Sequence, residues 1–441
     1  MSVARTICSG FLIMIAVGTV LLIPPFSTSS GDWNDPIVAL FTATSAVCVT
    51  GLIVVDTGSY FSSLGQGIIL LLIQLGGLGY MTATTFLLLL LGHRLGLRER
   101  LAIQQSMDRT ELSGGASLVL SIIATTMIFE ITGIFLMLPI FVSDFGSGQG
   151  LWLAIFHSVS AFNNAGFSLF SDNLMQYARS PGMNLIITGL VIIGGIGYQV
   201  IMEAFLWLRD RLQGDKERFV FSLHFKIVTN LTLALLGMGC LALLFTEFSN
   251  PFTLATEGFG VKVIMAWFQS AIARTAGFNT IDIGSLTNTS LLIIASLMFI
   301  GASPGSTGGG IKTTTAGILM FCTRSVLQGR EEVLCYQRQI PVDRVLRAIT
   351  VVIVSGMMVI AVTTLISLTD PNLNFIDILF ESVSAFATVG LSTGVTADLS
   401  TLAKLLLIVT MYVGRVGILL LAAAIFGDAK LSTIRHPKED L

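Results

Sequence analysis

Charge is what this chain of 441 residues has least of: Asp, Glu, Lys and Arg make up 11% of it, against about 25% in a soluble domain. With hydrophobic residues at 53%, that scarcity excludes an ordinary soluble fold and marks an integral membrane protein. Histidine is rarer still. His93, His157, His224 and His436 are dispersed, and no nucleophile–base pairing stands out, which removes the main argument for a membrane enzyme. The five cysteines (Cys8, Cys48, Cys240, Cys322, Cys335) are scattered and odd in number. They fit neither a disulfide framework nor a zinc site, and three lie in apolar runs, where cysteine behaves as a small hydrophobe. The net charge of -2 says little about partners, because the charges are segregated along the chain.

What is abundant is long apolar sequence. Runs recur at 7–27, 66–91, 116–142, 184–208, 226–246, 289–323 (interrupted), 345–368 and 401–427, each near or above the ~20 residues that cross a bilayer as helix. The first follows Arg5 and ends at Pro24 without a small-x-small cleavage site, so it reads as a spanning segment rather than a signal peptide. Between the members of successive pairs sit segments at 35–50, 150–165, 258–276 and 374–389. They are too short to span and read as re-entrant loops with a short helix.

These loops repeat. They end Thr42-Ala-Thr-Ser-Ala-Val-Cys-Val-Thr-Gly51, His157-Ser-Val-Ser-Ala-Phe-Asn-Asn-Ala-Gly166, Phe268-Gln-Ser-Ala-Ile-Ala-Arg-Thr-Ala-Gly277 and Glu381-Ser-Val-Ser-Ala-Phe-Ala-Thr-Val-Gly390. The glycines are evenly spaced (166 − 51 = 115, 277 − 166 = 111, 390 − 277 = 113), and the pentapeptides 158–162 and 382–386 are identical. Four internal repeats follow: 1–92, 114–210, 223–324 and 344–427, with a tail at 428–441. The predicted fold is all-α and integral to the membrane: four covalently linked M1–pore loop–M2 units in fourfold pseudosymmetry, like a potassium channel.

Lys and Arg set the orientation. The connection 92–115 carries Arg94, Arg98, Arg100 and Arg109; 209–226 carries Arg209, Arg211, Lys216, Arg218 and Lys226; 324–347 carries Arg324, Arg330, Arg338, Arg344 and Arg347; the tail adds Lys430, Arg435 and Lys438. Segments 24–40, 143–149, 248–257 and 369–376 have none. The positive-inside rule places the basic connections and both termini in the cytoplasm, with all four glycine turns entering from outside. The basic runs need no nucleic acid to explain them.

A cation crossing hydrocarbon needs substitutes for its water shell, and a ring of neutral backbone carbonyls supplies them. Glycine permits a left-handed turn with no Cβ in the pore. Val49, Thr50, Asn164, Ala165, Thr275, Ala276, Thr388 and Val389 are the expected potassium ligands through their carbonyls, with Gly51, Gly166, Gly277 and Gly390 permitting the turns. Four turns of one chain would close one filter.

A second feature is the interruption Gly301-Ala-Ser-Pro-Gly-Ser-Thr-Gly-Gly-Gly-Ile-Lys-Thr313, where glycines and Pro304 break the helix. Polar and small residues at that depth call for an aqueous cavity. Similar offsets fall on glycines at 76, 77 and 79, at 194, 195 and 197, and at 414 and 417. For the first two repeats the expectation is a packing kink; for 301–313 it is a gate. The stretch is no nucleotide P-loop, since Ile311 separates glycine from lysine and no strand precedes it. Arg415 stands inside an apolar run level with this loop, and an intramembrane arginine is a functional-site hypothesis, with a buried ion pair or snorkelling as the alternative. Arg274, beside a filter residue, is expected to brace the filter from behind, through carbonyls or one of Glu381, Glu203, Glu130 and Asp282.

Arg274-Thr-Ala-Gly-Phe-Asn279 and the 301–313 motif carry a resemblance across essentially the whole chain to the membrane subunits of Ktr-type potassium uptake systems, within the superfamily of Trk, Ktr and plant HKT transporters. That resemblance implies potassium selectivity, because Gly51 stands where a serine goes with sodium preference. It implies sodium-dependent potassium uptake across a bacterial cytoplasmic membrane. It makes 301–313 an intramembrane gate, built on Gly301, Pro304, Gly305, Gly308, Gly309, Gly310 and Lys312, with Arg415 near the pore axis opposing cations. It implies a homodimer docked on a separate cytosolic ring of nucleotide-binding regulatory subunits of the KtrA type. No nucleotide-binding domain follows residue 427, so this chain itself is expected to bind no nucleotide; 209–218 and 324–338 are candidate contacts to the ring. The competing reading is a sodium- or proton-coupled symporter of alternating-access type, which inverted repeats would favour. Two crossings per unit make these repeats parallel, which favours a pore.

Overall fold

Four times the chain lays down a long helix, a short one and a second long one. The computed structural model describes residues 3–79, 82, 115–214, 219–330 and 332–427. Arg94, Arg98, Arg100, Arg109, Lys216, Arg218 and the tail from 428 lie outside them.

The first unit is α1 (Val3–Leu22), the pore helix α2 (Pro36–Val47), a single turn α3 (Thr57–Tyr60) and α4 (Ser63–Leu78). The second is α5 (Gly115–Phe145), α6 (Ser147–Phe162), α7 (Pro181–Ile196) and its continuation α8 (Tyr198–Leu212). The third is α9 (Leu223–Glu247), α10 (Phe259–Ile272), α11 (Asn288–Phe299) and α12 (Thr313–Leu327). The fourth is α13 (Val342–Thr369), α14 (Phe375–Ala387), α15 (Thr401–Val416) and α16 (Ile418–Phe426). A two-stranded ribbon, Leu334–Cys335 with Arg338–Gln339, separates the third and fourth units.

The first helix of each unit is long and apolar enough to cross a membrane. Their outward faces present bare hydrocarbon, with Phe135, Phe245 and Leu368 exposed, as expected of surface solvated by lipid. Pro139 sits inside α5, which a membrane helix tolerates. The second helices open alike: the side chains of Ser62, Ser180, Thr287 and Ser400 accept from the backbone N–H three residues on, at Gly65, Met183, Ser290 and Ala403. Each cap satisfies one orphan donor of the first turn.

Each second helix also packs against the next unit's pore helix: α4 on α6, α7 on α10, α11 on α14, and α15 back on α2. The last contact closes the series into a ring. Apolar packing follows the same path. One cluster joins units two, three and four through Phe162, Phe268 and Phe380. The other joins units one, two and four through Phe41, Phe156 and Leu407.

The second helices then break. The turn between α7 and α8 at Gly197 is 104°, and that between α15 and α16 at Gly417 is 94°. Gly197 and Gly417 are left-handed, at φ 94° and 89°, and Gly79 ends α4 at φ 80°. The packing kink expected in repeat two is therefore incomplete as a description. Gly194 does pack, since a Cβ there would meet the carbonyl oxygen of Phe162, but three residues later the chain turns through a right angle.

Candidate functional site

The four pore helices end at one place. A Cβ built on Gly51 would meet the carbonyl oxygen of Ala165 and lie 3.1 Å from Gly166 Cα; one on Gly166 would lie 2.8 Å from Ala276 O and from Gly277 Cα. On Gly277 it would lie 2.5 Å from Val389 O and 3.1 Å from Gly390 Cα, and on Gly390 it would meet Thr50 O and lie 2.9 Å from Gly51 Cα. The sequence 51, 166, 277, 390 and back to 51 is a closed loop of neighbours. The carbonyl oxygens of Thr50, Ala165, Ala276 and Val389 lie at its four seams. Real Cβ atoms do not approach so closely, so glycine is required at each corner.

The other four expected ligands have their own geometry. Val49, Asn164, Thr275 and Thr388 are all left-handed, with φ of 56°, 58°, 71° and 51°. A β-branched residue held there costs of order 1–3 kcal/mol, which the surroundings must over-determine. Part of the restraint is visible: the N–H of Thr50, Ala165 and Val389 donates to the carbonyls of Ser45 (2.8 Å), Ser160 (2.7 Å) and Ser384 (2.9 Å) in the last turn of the pore helix. Ala276 departs, donating to Ile272 at 3.1 Å. Gly51 and Gly390 donate to the hydroxyls of Ser45 (3.0 Å) and Ser384 (3.1 Å). The repeated left-handed residue two before each glycine is absent from the sequence reading; only Asn164 hints at it, because valine and threonine carry no such signal. All eight residues are fully buried. The C-termini of α2, α6, α10 and α14 add the negative ends of four helix dipoles, which favour a cation.

Beneath the ring lies the segment between α11 and α12. It is a compact loop: Ile300 bridges Ile311, Ala302 N–H donates to Gly309 O at 3.3 Å, and Thr313 Oγ1 donates to Ser303 Oγ at 2.9 Å. Its outer contacts reach two other units. The N–H of Ser303 and Thr307 donates to Gly195 O (3.0 Å) and Gly194 O (3.3 Å), and Tyr198 N–H donates to Gly305 O at 3.0 Å. Gly309 N–H donates to Thr388 Oγ1 at 3.1 Å, and Gly310 N–H to Gly414 O at 3.4 Å. A Cβ on Gly308 would meet Thr275 Oγ1. The loop is thus pressed against Thr275 and Thr388. Pro304 abuts Gly197, its carbonyl 2.6 Å from where a Cβ would stand. A cavity of about 280 Å³ opens beside the loop, lined by Gly305, Gly308, Lys312, Arg415 and Tyr198 among others.

Arg415 ties this loop to the first unit. Its guanidinium donates to the carbonyls of Thr307 and of Gly76, the latter at 2.5 Å. Lys312 Nζ donates to Gly308 O at 2.8 Å. Ion pairs among the described residues are Arg179–Glu257 and Arg209–Asp210, so neither of these two cations has an acid partner there. Arg274, 7% exposed, donates through Nη2 to Gly301 O at 3.4 Å. The acids weighed as its partners are engaged elsewhere: Glu130 with Asn163, Glu203 with Ser222, Glu381 with Ser392 and Thr396, and Asp282 with Ser285. Arg274, beside Thr275, therefore reaches the start of the loop through a carbonyl.

Comparison with known proteins agrees with this architecture. A family described as "TrkH: Cation transport protein" matches residues 11–430. The chain belongs to that family. It is 38% identical over 435 residues to "Ktr system potassium uptake protein B" of Bacillus subtilis, covering 98% of this chain and 95% of that one. It is 39% identical over 436 residues to the protein of the same name from Vibrio alginolyticus, at 99% and 93% coverage. "Potassium/sodium uptake protein NtpJ" of Enterococcus hirae is 34% identical over 446 residues, at 100% and 97%. The solved structure of the potassium transporter TrkH from Vibrio parahaemolyticus superposes with a TM-score of 0.70 at 21% identity, covering 94% of this chain and 84% of that one, a likeness of fold. As a member of the TrkH family the chain is a multi-pass membrane protein, and its relatives are named as transporters.

Proposed function

We propose that this protein is the ion-conducting subunit of a Ktr-type potassium uptake system in a bacterial cytoplasmic membrane. The observation that carries the proposal is the closed ring of Gly51, Gly166, Gly277 and Gly390, with the carbonyls of Thr50, Ala165, Ala276 and Val389 at its seams. A desolvated potassium ion needs neutral oxygens from all sides, and four unequal quarters of one chain offer them. The carbonyls of Val49, Asn164, Thr275 and Thr388 form the adjoining layer.

The loop 301–313 is the gate. It occupies the path below the ring, rests on Thr275 and Thr388, and is fastened by Arg415 to the first unit. Opening requires those hydrogen bonds to be exchanged for water. Uptake is sodium-dependent, the protein is a homodimer, and a separate nucleotide-binding ring on the cytoplasmic side drives the gate. The likeness to Ktr relatives supports these assignments, and the basic connections support a cytoplasmic position for both termini.

The test is potassium and sodium flux into vesicles reconstituted with the protein, with and without the regulatory ring. Potassium should enter in preference to sodium, and the ring should change the rate. Equal fluxes of the two ions would defeat the filter assignment, and indifference to the ring would defeat the gating assignment.

A further inference from the structure

Nine residues before the filter glycine and two after it, units two and four carry matched polar pairs. They are His157 with Ser168 (166 − 157 = 9, 168 − 166 = 2) and Glu381 with Ser392 (390 − 381 = 9, 392 − 390 = 2). The central contacts are alike in both, although Ser168 Oγ is also 3.3 Å from Asn173 O and Ser392 Oγ 2.9 Å from Thr396 Oγ1. Ser392 Oγ donates to Glu381 Oε1 at 2.5 Å and accepts from Gly394 N–H at 2.9 Å. Ser168 Oγ lies 3.0 Å from His157 Nε2 and accepts from Phe170 N–H at 3.1 Å. His157 Nδ1 is 2.9 Å from the carbonyl of Leu153, which can only accept. In the neutral ring Nδ1 therefore carries the proton, and Nε2 accepts from the serine. Glu381 holds two further groups of the same loop, Thr393 N–H at 3.1 Å and Thr396 Oγ1 at 2.7 Å. His157 is fully buried and Glu381 nearly so.

Units one and three have nothing comparable. Their matching positions are Thr42 with Ile53 and Phe268 with Asn279 (51 − 42 = 9, 53 − 51 = 2; 277 − 268 = 9, 279 − 277 = 2). Asn279 instead donates to Ile281 O at 2.9 Å. In the ring order 51, 166, 277, 390, units two and four face each other across the axis.

We propose that Ser168–His157 and Ser392–Glu381 are positioning residues for ion discrimination. They pin the outer limb of two diagonally opposed filter turns to their own pore helices. In unit three the same limb is held instead by the neighbouring unit-two loop, Asn279 N–H donating to Asn173 Oδ1 at 3.4 Å and Leu174 N–H to Asn279 O at 3.1 Å, and in unit one the tie to the pore helix is at the glycine, Gly51 N–H on Ser45 Oγ. The proposal rests on the reading of the ring as a potassium filter. Carbonyls that match potassium must not close onto the smaller sodium ion. A ring pinned along one diagonal resists that closure without needing four pins. The carboxylate and the imidazole are the acceptors, and the serine hydroxyls transmit the restraint to the backbone two residues past each glycine.

The experiment measures the potassium-to-sodium permeability ratio of the full-length protein in reconstituted vesicles. Ser392→Ala and Ser168→Ala should each lower the ratio about tenfold, the size of one lost hydrogen bond to a buried acceptor, while potassium still enters. Ser392→Thr keeps the hydroxyl, at a partly buried position, and should keep the ratio near that of the wild type. Glu381→Gln, which is isosteric and places an N–H₂ among donors, should behave like Ser392→Ala and serves if an alanine variant does not fold. Ile53→Ala and Asn279→Ala should leave the ratio within about twofold. Unchanged ratios in the serine variants and in Glu381→Gln, with Gly51→Ser lowering selectivity in the same vesicles, would overturn the pins and spare the filter. Unchanged selectivity in Gly51→Ser as well would overturn the filter itself. An equal fall in Ile53→Ala would overturn the diagonal arrangement.

Discussion

Removing the guanidinium of Arg415 is the sharpest perturbation the geometry offers. The group sits where α15 ends, donates to Thr307 O and Gly76 O, and has no ion-pair partner among the described residues. Two effects follow from Arg415→Ala, and both raise flux. The first is electrostatic: a cation passing at ~8 Å in an effective dielectric of ~20 meets a repulsion of about 2 kcal/mol. Deleting that barrier accelerates passage about thirtyfold. The second is mechanical: hydrogen bonds from a charged donor contribute about 1.5–3 kcal/mol each, so the loop loses its tie to the first unit and opens more often. Arg415→Lys separates the two, because it keeps the charge but not the fork that reaches two carbonyls. The assay is rubidium or potassium influx into vesicles at matched protein incorporation. The expected order of rates is alanine, then lysine, then wild type. An alanine variant no faster than wild type would return Arg415 to a purely structural role and remove the loop's claim to be a gate.

Three further outcomes are expected. Gly51→Ser forces a side chain onto a residue at φ 90° whose Cβ faces Ala165 O; potassium-over-sodium preference should fall by about an order of magnitude, read by competitive flux. Arg274→Met removes a buried cation held by one long hydrogen bond to Gly301 O. Because burying an unpaired charge is costly, its melting temperature should hold or rise, whereas flux without the regulatory ring should increase; a large loss of stability would mean the arginine is a structural keystone instead. Outside the membrane, the hydrogen bonds and charge of Arg179 hold the Glu257 carboxyl below its usual 4.5. A depressed folded pKa gives stability that is complete above the ordinary value and lost as pH falls through the lowered one. The difference in melting temperature between wild type and Glu257→Gln should therefore close as the pH is taken below 4.5, and a constant offset across that range would contradict the pairing.

The plan of the molecule was legible because it is written in periodic signals. Scarce charge, apolar runs and four glycines at near-constant spacing need no tertiary knowledge to interpret. The loop at 301–313 was legible because five glycines and a proline cannot continue a helix. What stayed hidden depends on contacts between repeats. The left-handed Val49, Thr275 and Thr388 look like ordinary strand formers, and only the fixed ends of the pore helices force them over. The carbonyl partner of Arg274 lies 27 residues along the chain and has no side chain to advertise it. The right-angle turn at Gly197 was obscured by Gly194 and Gly195, whose packing role accounts for the same letters. The serine and threonine caps of the second helices could have been found, since each is a serine or threonine within a few residues of the start of an apolar run.

Closure of the four units through α15 against α2 has a consequence for variation. In an assembly of four identical chains every substitution appears in quadruplicate, so no corner can change without the others. Here an altered codon touches one quadrant and leaves three as they were. On the proposed gating, that freedom allows a division of labour: the third quadrant would own the barrier, the fourth would supply the arginine that latches it, and the first would offer the catch.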